Sequence, residues 1–419
     1  MNPFSSFRNR YAFLKGNFLI LTITWVFMYF ASPIPQTYAS LFYKDLGADD
    51  FILGVIGFAG SIALALVQFP GGYLADKHGR RWLVLTMTYG VAFSTIFFVI
   101  APSWQFIVLG IMIQNFCLLY QPALFAIMLD SVAPENRGAG FTFQLVVTNL
   151  VGLPASIIAG YIILVFNLDL GMRIAYGIVL AAYVAAATLR VKIKETLPSN
   201  NTKSRPSLLE AFREYPRSVR ESLNVWKRIP RAAFYLFLAN AAISSLTIGC
   251  QTYFVVYATE VLNLERFQWA IVMASMSLSI AIPSIIAGLR MDISGRKRFI
   301  IAGYLLYVPA MLIFLGSRFY GQTFQMLLLA FFFFGLGQML QGSSYQSLLG
   351  DLTPREVRGK VVGCSQFFMY LSQAFTTLLA GALYSFVAPE LPFLVLAIGA
   401  LPLSLLVFFR VFEPKIKQV

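Results

Sequence analysis

Amide and aromatic side chains set inside long apolar stretches are the residues best placed for chemistry in this chain of 419 residues. Asn240, Ser244, Thr247 and Gln251 recur at i, i+3, i+4 spacing, as do Trp25, Tyr29, Ser32 and Gln36. Such spacing puts each set on one face of a helix. Gln114 and Gln121, with Asn115 beside them, form a third group, and Gln338, Gln341 and Tyr345 a fourth. Gln366, Tyr370 and Gln373 form another, with Gln144 and Asn149 as a last pair. A single Ser or Thr in an apolar helix usually bonds its own backbone or glues a neighbour, the better reading of Ser244 or Thr247 alone. An amide left unsatisfied in hydrocarbon is costly, so these glutamines must face water, a solute or one another. Their chemistry is hydrogen bonding to something held, not the making of covalent bonds.

Groups that drive catalysis or ion coupling are sparse. The one histidine, His78, lies in a short basic loop, so no buried imidazole relay is available. Cys117, Cys250 and Cys364 are far apart and lack metal-ligand spacing, which predicts neither a metal site nor a disulfide framework. No nucleophile–base pair or phosphate loop stands out, so neither an enzyme nor a cofactor is expected. All 18 Asp and Glu fall in loops or near the ends of apolar runs. Carboxylates at mid-membrane depth are the usual proton and cation sites of pumps. Their absence argues against a cation-selective cavity and leaves Asp130, Glu260 and Asp351 as the candidates for protonation. A coupling ion stays open.

The elements that must position these residues are membrane spans. The chain is 58% hydrophobic and 12% charged, with a mean hydropathy of +0.73. Spanning-length apolar runs fall at 17–43, 50–73, 82–101, 104–130, 140–165 and 171–190, then at 232–259, 266–289, 299–317, 322–350, 360–387 and 391–410. Each must be helical, since lipid offers the backbone no other hydrogen-bond partner. The first run follows Arg8, Arg10 and Lys15 as a secretory signal would, but it is too long for a cleaved segment and reads as the first retained span. With both termini in the cytoplasm, only Lys44, Arg173, Arg266 and Arg318 of the 32 Lys and Arg lie outside. That positive-inside bias predicts a multi-pass protein of the cell membrane with the lipid bilayer as its partner. The net charge of +14 follows from topology and calls for no nucleic acid. The polar stretch 191–230 divides the chain into an N-terminal half, 1–190, and a C-terminal half, 231–419. Leu208, Leu209, Phe212, Val219, Leu223 and Trp226 recur within it at helical spacing. They predict short amphipathic helices on the inner leaflet, with a partly disordered linker as the alternative.

The two halves repeat. Gly72-Tyr-Leu-Ala-Asp76-Lys-His-Gly79-Arg80-Arg81 follows the second span, and Gly288-Leu-Arg-Met-Asp292-Ile-Ser-Gly295-Arg296-Lys297 follows the eighth. Asp130, Arg137 and Gly138 after the fourth span match Asp351, Arg358 and Gly359 after the tenth, at nearly the same separation along the chain. Glycines suit a tight turn where backbones crowd. The Asp76 carboxylate suits a helix N-terminus, and Arg80 is in reach of Asp130. This loop pattern closely resembles the major facilitator superfamily, and the loop after the second span looks like that family's motif A. The resemblance implies an all-α integral membrane protein with twelve transmembrane helices in two pseudo-symmetric six-helix bundles. It implies alternating access around a central cavity lined by spans 1, 4, 7 and 10, and a monomer.

On that resemblance the candidate substrate-binding residues are Trp25, Tyr29, Gln36, Gln114, Gln121, Asn240, Gln251, Gln338, Gln341, Tyr345, Gln366 and Tyr370. The candidate gating residues are Gly72, Asp76, Gly79, Arg80, Asp130 and Arg137, with Asp292, Gly295, Arg296, Asp351 and Arg358 in the second half. The gating set is expected to latch the bundles in the outward-facing state; the competing reading is that these charges only terminate helices. Gln36-Thr37-Tyr38 and Gln251-Thr252-Tyr253 are the same triplet, separated by almost the interval that separates the motif A loops. Pseudo-symmetry sets Gln36 and Gln251 on opposing walls of the outer cavity, as binding or gate residues, or else as helix-packing ones. Pro33 and Pro35 are expected to kink span 1. Two departures count against a proton-driven drug exporter. Ile111 and Asn115 stand where the R-x-x-Q-G motif has its arginine and glycine. Leu153, Ile157 and Ile158 replace glycines in span 5, where only Gly140 and Pro154 fit. The expected function is secondary transport of a small neutral or amphipathic organic solute. Multidrug or metabolite efflux by proton antiport is the alternative, and a non-transporting sensor of the same fold a third reading.

Overall fold

The structure is a computed structural model that describes residues 14–133, 137–196, 216, 220, 229–353 and 358–413. Within these, only the backbone is described at 69–73, 75–78, 137–139, 141–142, 145, 149, 285–294 and 358–360. The described residues form helices and no strand. Among the described residues, twelve spans are long and apolar enough to cross a membrane. The first half holds spans 1 (Gly16–Gln36), 2 (Asp50–Gln68), 3 (Arg80–Val99), 4 (Trp104–Asp130), 5 (Val146–Phe166) and 6 (Leu168–Arg190). The second holds spans 7 (Arg231–Val261), 8 (Arg266–Ser284), 9 (Arg296–Phe319), 10 (Thr323–Leu352), 11 (Val361–Phe386) and 12 (Leu391–Arg410). An even number of crossings puts Gly16 and Arg410 on one face, called proximal below; the other face is distal.

Span 1 is shorter than its apolar run because its helix breaks. Helix Gly16–Ala31 gives way to a turn at Pro33–Gln36, and a separate helix, Ala39–Asp45, carries the chain along the distal face. Pro33 and Pro35 cannot donate backbone hydrogen bonds, so the helical ladder lapses there. Span 4 tightens into a 3-10 turn at Leu118–Tyr120 just before Pro122, a break the composition of the run does not reveal. The motif loops are single-residue hinges. The helices of spans 2 and 8 end at Gly79 and Gly295, with φ 96° and 89°. A side chain disfavours that backbone conformation, so conformational freedom, not only crowding, requires glycine at both points. The amphipathic helices expected within 191–230 lie almost wholly outside the described residues.

Packing between the halves is concentrated distally. Span 2 packs on span 11 and span 5 on span 8. Ile34, Tyr38, Phe42 and Leu53 share one apolar cluster with Phe254, Trp269, Phe314 and Phe331 of the second half. A separate cluster running from Phe18 to Ile193 belongs to the first half alone. The apolar core therefore bridges the two bundles at the distal end.

Candidate functional site

The repeated triplets form the distal closure. The hydroxyl of Tyr38 donates to the carbonyl of Arg266, first residue of the span 8 helix, at 2.5 Å. The hydroxyl of Tyr253 donates to the carbonyl of Asp50, first residue of the span 2 helix, at 2.8 Å. Pseudo-equivalent donors thus meet pseudo-equivalent acceptors, and both bonds cross between the halves. Trp269 adds a third crossing bond, from Nε1 to the carbonyl of Thr37 at 3.0 Å. Lys44 adds a charged one, reaching Glu260 at 2.6 Å while holding Asp50 at 2.7 Å. Partial burial works against the Lys44 ammonium, but the two carboxylates outweigh it and hold its pKa above the usual lysine value.

The backbones that meet beneath these bonds do so through small residues. A Cβ added at Gly54 of span 2 would lie 2.8 Å from the Thr377 carbonyl oxygen and 3.0 Å from Gly381 Cα, both on span 11. One added at Gly160 of span 5 would lie 2.5 Å from the Ala270 Cβ of span 8. The alignment that matches the loop repeats also matches Gly54 to Ala270 and Gly160 to Gly381. The two seams are one contact used twice. Small residues let helices approach this closely in lipid, where dispersion contact replaces the hydrophobic effect.

Under the closure lies a cavity of ≈ 200 Å³ walled by Gln36 and Gln251 together with Phe254, Trp269, Met276 and Phe331. The pseudo-equivalent glutamines therefore share one chamber, roofed by the Trp269–Thr37 bond. A second cavity of ≈ 170 Å³ lies within the second half, lined by Asn240, Ser244, Gln341, Tyr345, Gln346 and Gln366 among others. Among the described residues, no charged side chain lines either chamber.

Other predicted binding residues separate into distinct settings. Gln341 is 7% exposed and fully engaged. It accepts from the Tyr307 hydroxyl at 2.5 Å and donates to Asn240 at 3.1 Å and Ser244 at 2.8 Å. Gln341 and Asn240 thus tie spans 7, 9 and 10 together at the cavity wall. Gln341→Leu would remove the acceptor of the Tyr307 hydroxyl and the donor to Asn240 and Ser244. It is expected to lower stability by about 1–2 kcal/mol, the range of a polar contact between membrane helices, read as a lower unfolding midpoint in detergent. Trp25 is half-buried against the first half's own cluster, and Tyr29 and Gln121 are exposed. Gln114, Gln338 and Tyr370 are half-buried and line neither chamber. Asn115 bonds the Gly60 carbonyl at 2.9 Å, which packs span 4 on span 2.

At the proximal face Arg80 pairs with Asp130 at 2.5 Å, and Arg296 pairs with Asp351. Each pair ties the start of one span to the end of the next within one half, span 3 to span 4 and span 9 to span 10. Gly79 and Gly295 are the hinges described above. Gly72, Asp76, Arg137, Asp292 and Arg358 lie on helical backbone, but their side chains fall outside the described residues. Sequence reasoning missed the carboxylates that cap spans 3 and 9. Glu195 accepts from the backbone N–H of Arg81 at 2.9 Å, and Glu413 from that of Lys297 at 2.6 Å. The signal was weak: an Arg-Val pair and then an acid follow the last span of each half. Glu195 comes after Arg190-Val-Lys-Ile-Lys but Glu413 after Arg410-Val-Phe, so the spacing does not match. An acid at a helix N-terminus satisfies backbone donors that have no partner in their own helix. Lys44 and Glu260 stand at equivalent points of the two halves, 216 residues apart, but differ in residue type, and Trp269 carried no repeat signal.

The same architecture occurs in solved transporters. A peptide transporter POT in complex with sulfate superposes with a TM-score of 0.69 at 17% identity, over 94% of this chain and 93% of that one. The human organic anion transporter MFSD10 (TETRAN) gives 0.63 at 17% identity, over 93% and 97%. A mutant of the nucleoside transporter NupG gives 0.65 at 13% identity, over 94% and 99%. At these identities the likeness is one of fold. No curated protein matches by sequence. The sequence model of the Major Facilitator Superfamily matches residues 16–289 and again 241–419, so the match begins anew in the second half. The chain belongs to the major facilitator superfamily and is a multi-pass membrane transporter, not an enzyme.

Proposed function

We propose that this transporter moves a small neutral or amphipathic organic solute by alternating access, in a cell membrane with its proximal face and both termini in the cytoplasm. The observation that carries the reading is the chamber shared by Gln36 and Gln251. Two amides supplied by pseudo-equivalent helices face a wall of Phe254, Trp269, Phe331 and Met276, with no charge among the described lining residues. Amides offer both donors and acceptors and suit polar groups of either kind. The aromatic wall takes up the apolar part of a solute. The distal bonds seal this chamber from one side, so opening them while the proximal ends come together exchanges access. The basic residues on the proximal side support its assignment as cytoplasmic.

Uptake into proteoliposomes, with and without a proton gradient, tests the reading over sugars, amino acids, organic acids, nucleosides and lipophilic drugs. Saturable exchange of one of the neutral or amphipathic classes is expected. Strict gradient dependence with cationic drugs as the only substrates would replace it with drug antiport. Gln36→Ala and Gln251→Ala are each expected to weaken half-saturation roughly three- to tenfold, the worth of one hydrogen bond. Neither should lower the unfolding midpoint, because both side chains are exposed to the chamber.

A further inference from the structure

The last span of each half ends on an arginine followed by valine, and the two arginines behave differently. Arg410 is exposed, with its guanidinium over the Tyr235 ring, as expected of a residue at the cytoplasmic end of a span. Arg190 is 0% exposed. It turns back into the first bundle, where Nε donates to Thr24 Oγ1 at 3.2 Å and Nη1 to Thr88 Oγ1 at 2.7 Å. Nη2 lies 3.5 Å from Met28 Sδ, and the guanidinium carbon sits 5.4 Å from the Tyr120 ring centroid. Thr24 and Thr88 are each eight residues into their spans, so the charge stands about 12 Å inside the proximal helix ends. Among the described residues no carboxylate pairs with it.

Hydroxyl dipoles and an aromatic face solvate a cation but leave its charge uncancelled. A lone buried charge is destabilising, and an apolar side chain of similar size would pack there at less cost. Its field emerges through low-dielectric protein toward the nearest water. On span 1, Thr24 and Met28 face the arginine, while Trp25 and Tyr29 lie on the neighbouring face, about 100° round the helix. Gln121, exposed, follows Tyr120 directly. The charge therefore lies one side chain behind the Trp25–Tyr29–Gln121 face of spans 1 and 4. Among the described residues, no carboxylate lines either chamber to oppose it.

We propose that Arg190 sets the electrical sign of the transport path, so that the solute carried is an organic anion such as an ionised carboxylic acid. This rests on the transport reading above and narrows its amphipathic class. Arg190 acts through the field behind the wall and is a positioning charge, not a contact residue.

A cysteine reporter reads that field without knowledge of the solute. In a full-length chain with Cys117, Cys250 and Cys364 replaced, Tyr29→Cys is introduced as the reporter and Gln251→Cys as a remote control. Modification rates are measured with an anionic sulfonatoethyl and a cationic trimethylammonioethyl methanethiosulfonate. With Arg190 present, the anion-to-cation ratio at Tyr29→Cys should exceed that of a free thiol in the same buffer. Arg190→Met should lower it on the order of tenfold, the scale of one charge nearby in a partly hydrated site. Arg190→Lys should retain it, and Gln251→Cys should change little. A cation preference with native Arg190 overturns the proposal even if Arg190→Met fails to fold. So does an unchanged ratio in a folded Arg190→Met protein. Thermal shifts with benzoate against benzamide and hexanoate against hexanamide then test the ligand class. Stabilisation by the acids is expected, and stabilisation by the amides alone overturns it. Failure of every solute to cross vesicles sinks the transport reading while leaving the reagent ratio intact.

Discussion

Gly54→Val is expected to hold the distal end open. Even the first added carbon would lie 2.8 Å from a backbone carbonyl and 3.0 Å from Gly381 Cα, so no rotamer of a flexible neighbour relieves the clash. Span 2 and span 11 must separate, which breaks the register that Tyr253 needs to reach the Asp50 carbonyl. Overpacking of this kind costs about 1–3 kcal/mol. Because it acts only on the distally closed state, it shifts the balance toward the open one by roughly 5- to 150-fold. The measurement is the rate at which a membrane-impermeant thiol reagent, added from the distal side, modifies Gln36→Cys. That rate should rise by an order of magnitude, and solute exchange should slow because the closed state is now scarce. Gly177→Val is the control, since a Cβ there meets nothing within 4 Å. Equal reagent rates in folded Gly54→Val and its parent would show that the seam does not govern access.

This seam illustrates what the sequence displays and what it withholds. Gly54 and Gly57 are visible in span 2, but small residues three apart only announce that some helix comes close. Nothing local says that the partner is span 11, in the other half of the chain. The spans themselves were legible because hydrocarbon leaves the backbone one solution per crossing. The family was legible because the loop repeats recur at matching places. Repetition also made the triplets visible, since a match at equivalent points carries information that one copy lacks. The chamber holding Gln36 and Gln251 was reachable by that route, whereas Trp269 occurs once and had no repeat to betray it.

Amides divided along a line that composition does not draw. Gln36 and Gln251 stay open to the chamber, while Gln341 spends both its donors on Asn240 and Ser244 and accepts from Tyr307. All three are glutamines in apolar helices, and only the neighbours decide which one is free. Arg190 reverses the sense of a sequence rule. Counted among the cytoplasmic basic residues by its position at a span end, it is instead buried, because Thr24 and Thr88 supply oxygens at the depth its long side chain reaches. A threonine in a span has no fixed meaning until the residue facing it is known.

The two tyrosine bonds give the second large effect, and their symmetry makes it separable. Tyr38→Phe and Tyr253→Phe each keep the ring and remove one oxygen, so packing against the shared apolar cluster persists. What is lost is a hydrogen bond to a helix-end carbonyl, present in the distally closed state and replaced by water when the ends part. Such a bond contributes about 1 kcal/mol net, or about a fivefold shift in the equilibrium. The bonds lie on opposite sides of the closure, Tyr38 on span 8 and Tyr253 on span 2, and share no atom. Independent sites add, so the double variant should shift the balance about 25-fold. The same Gln36→Cys accessibility assay measures all three variants. Additivity would mean that each half contributes its own latch and that the two tyrosine bonds act independently. A double variant no more open than either single would mean that one bond forms only when the other has formed. A double variant as closed as the parent would assign the closure to the glycine seam, the Lys44 clamp and the Trp269–Thr37 bond.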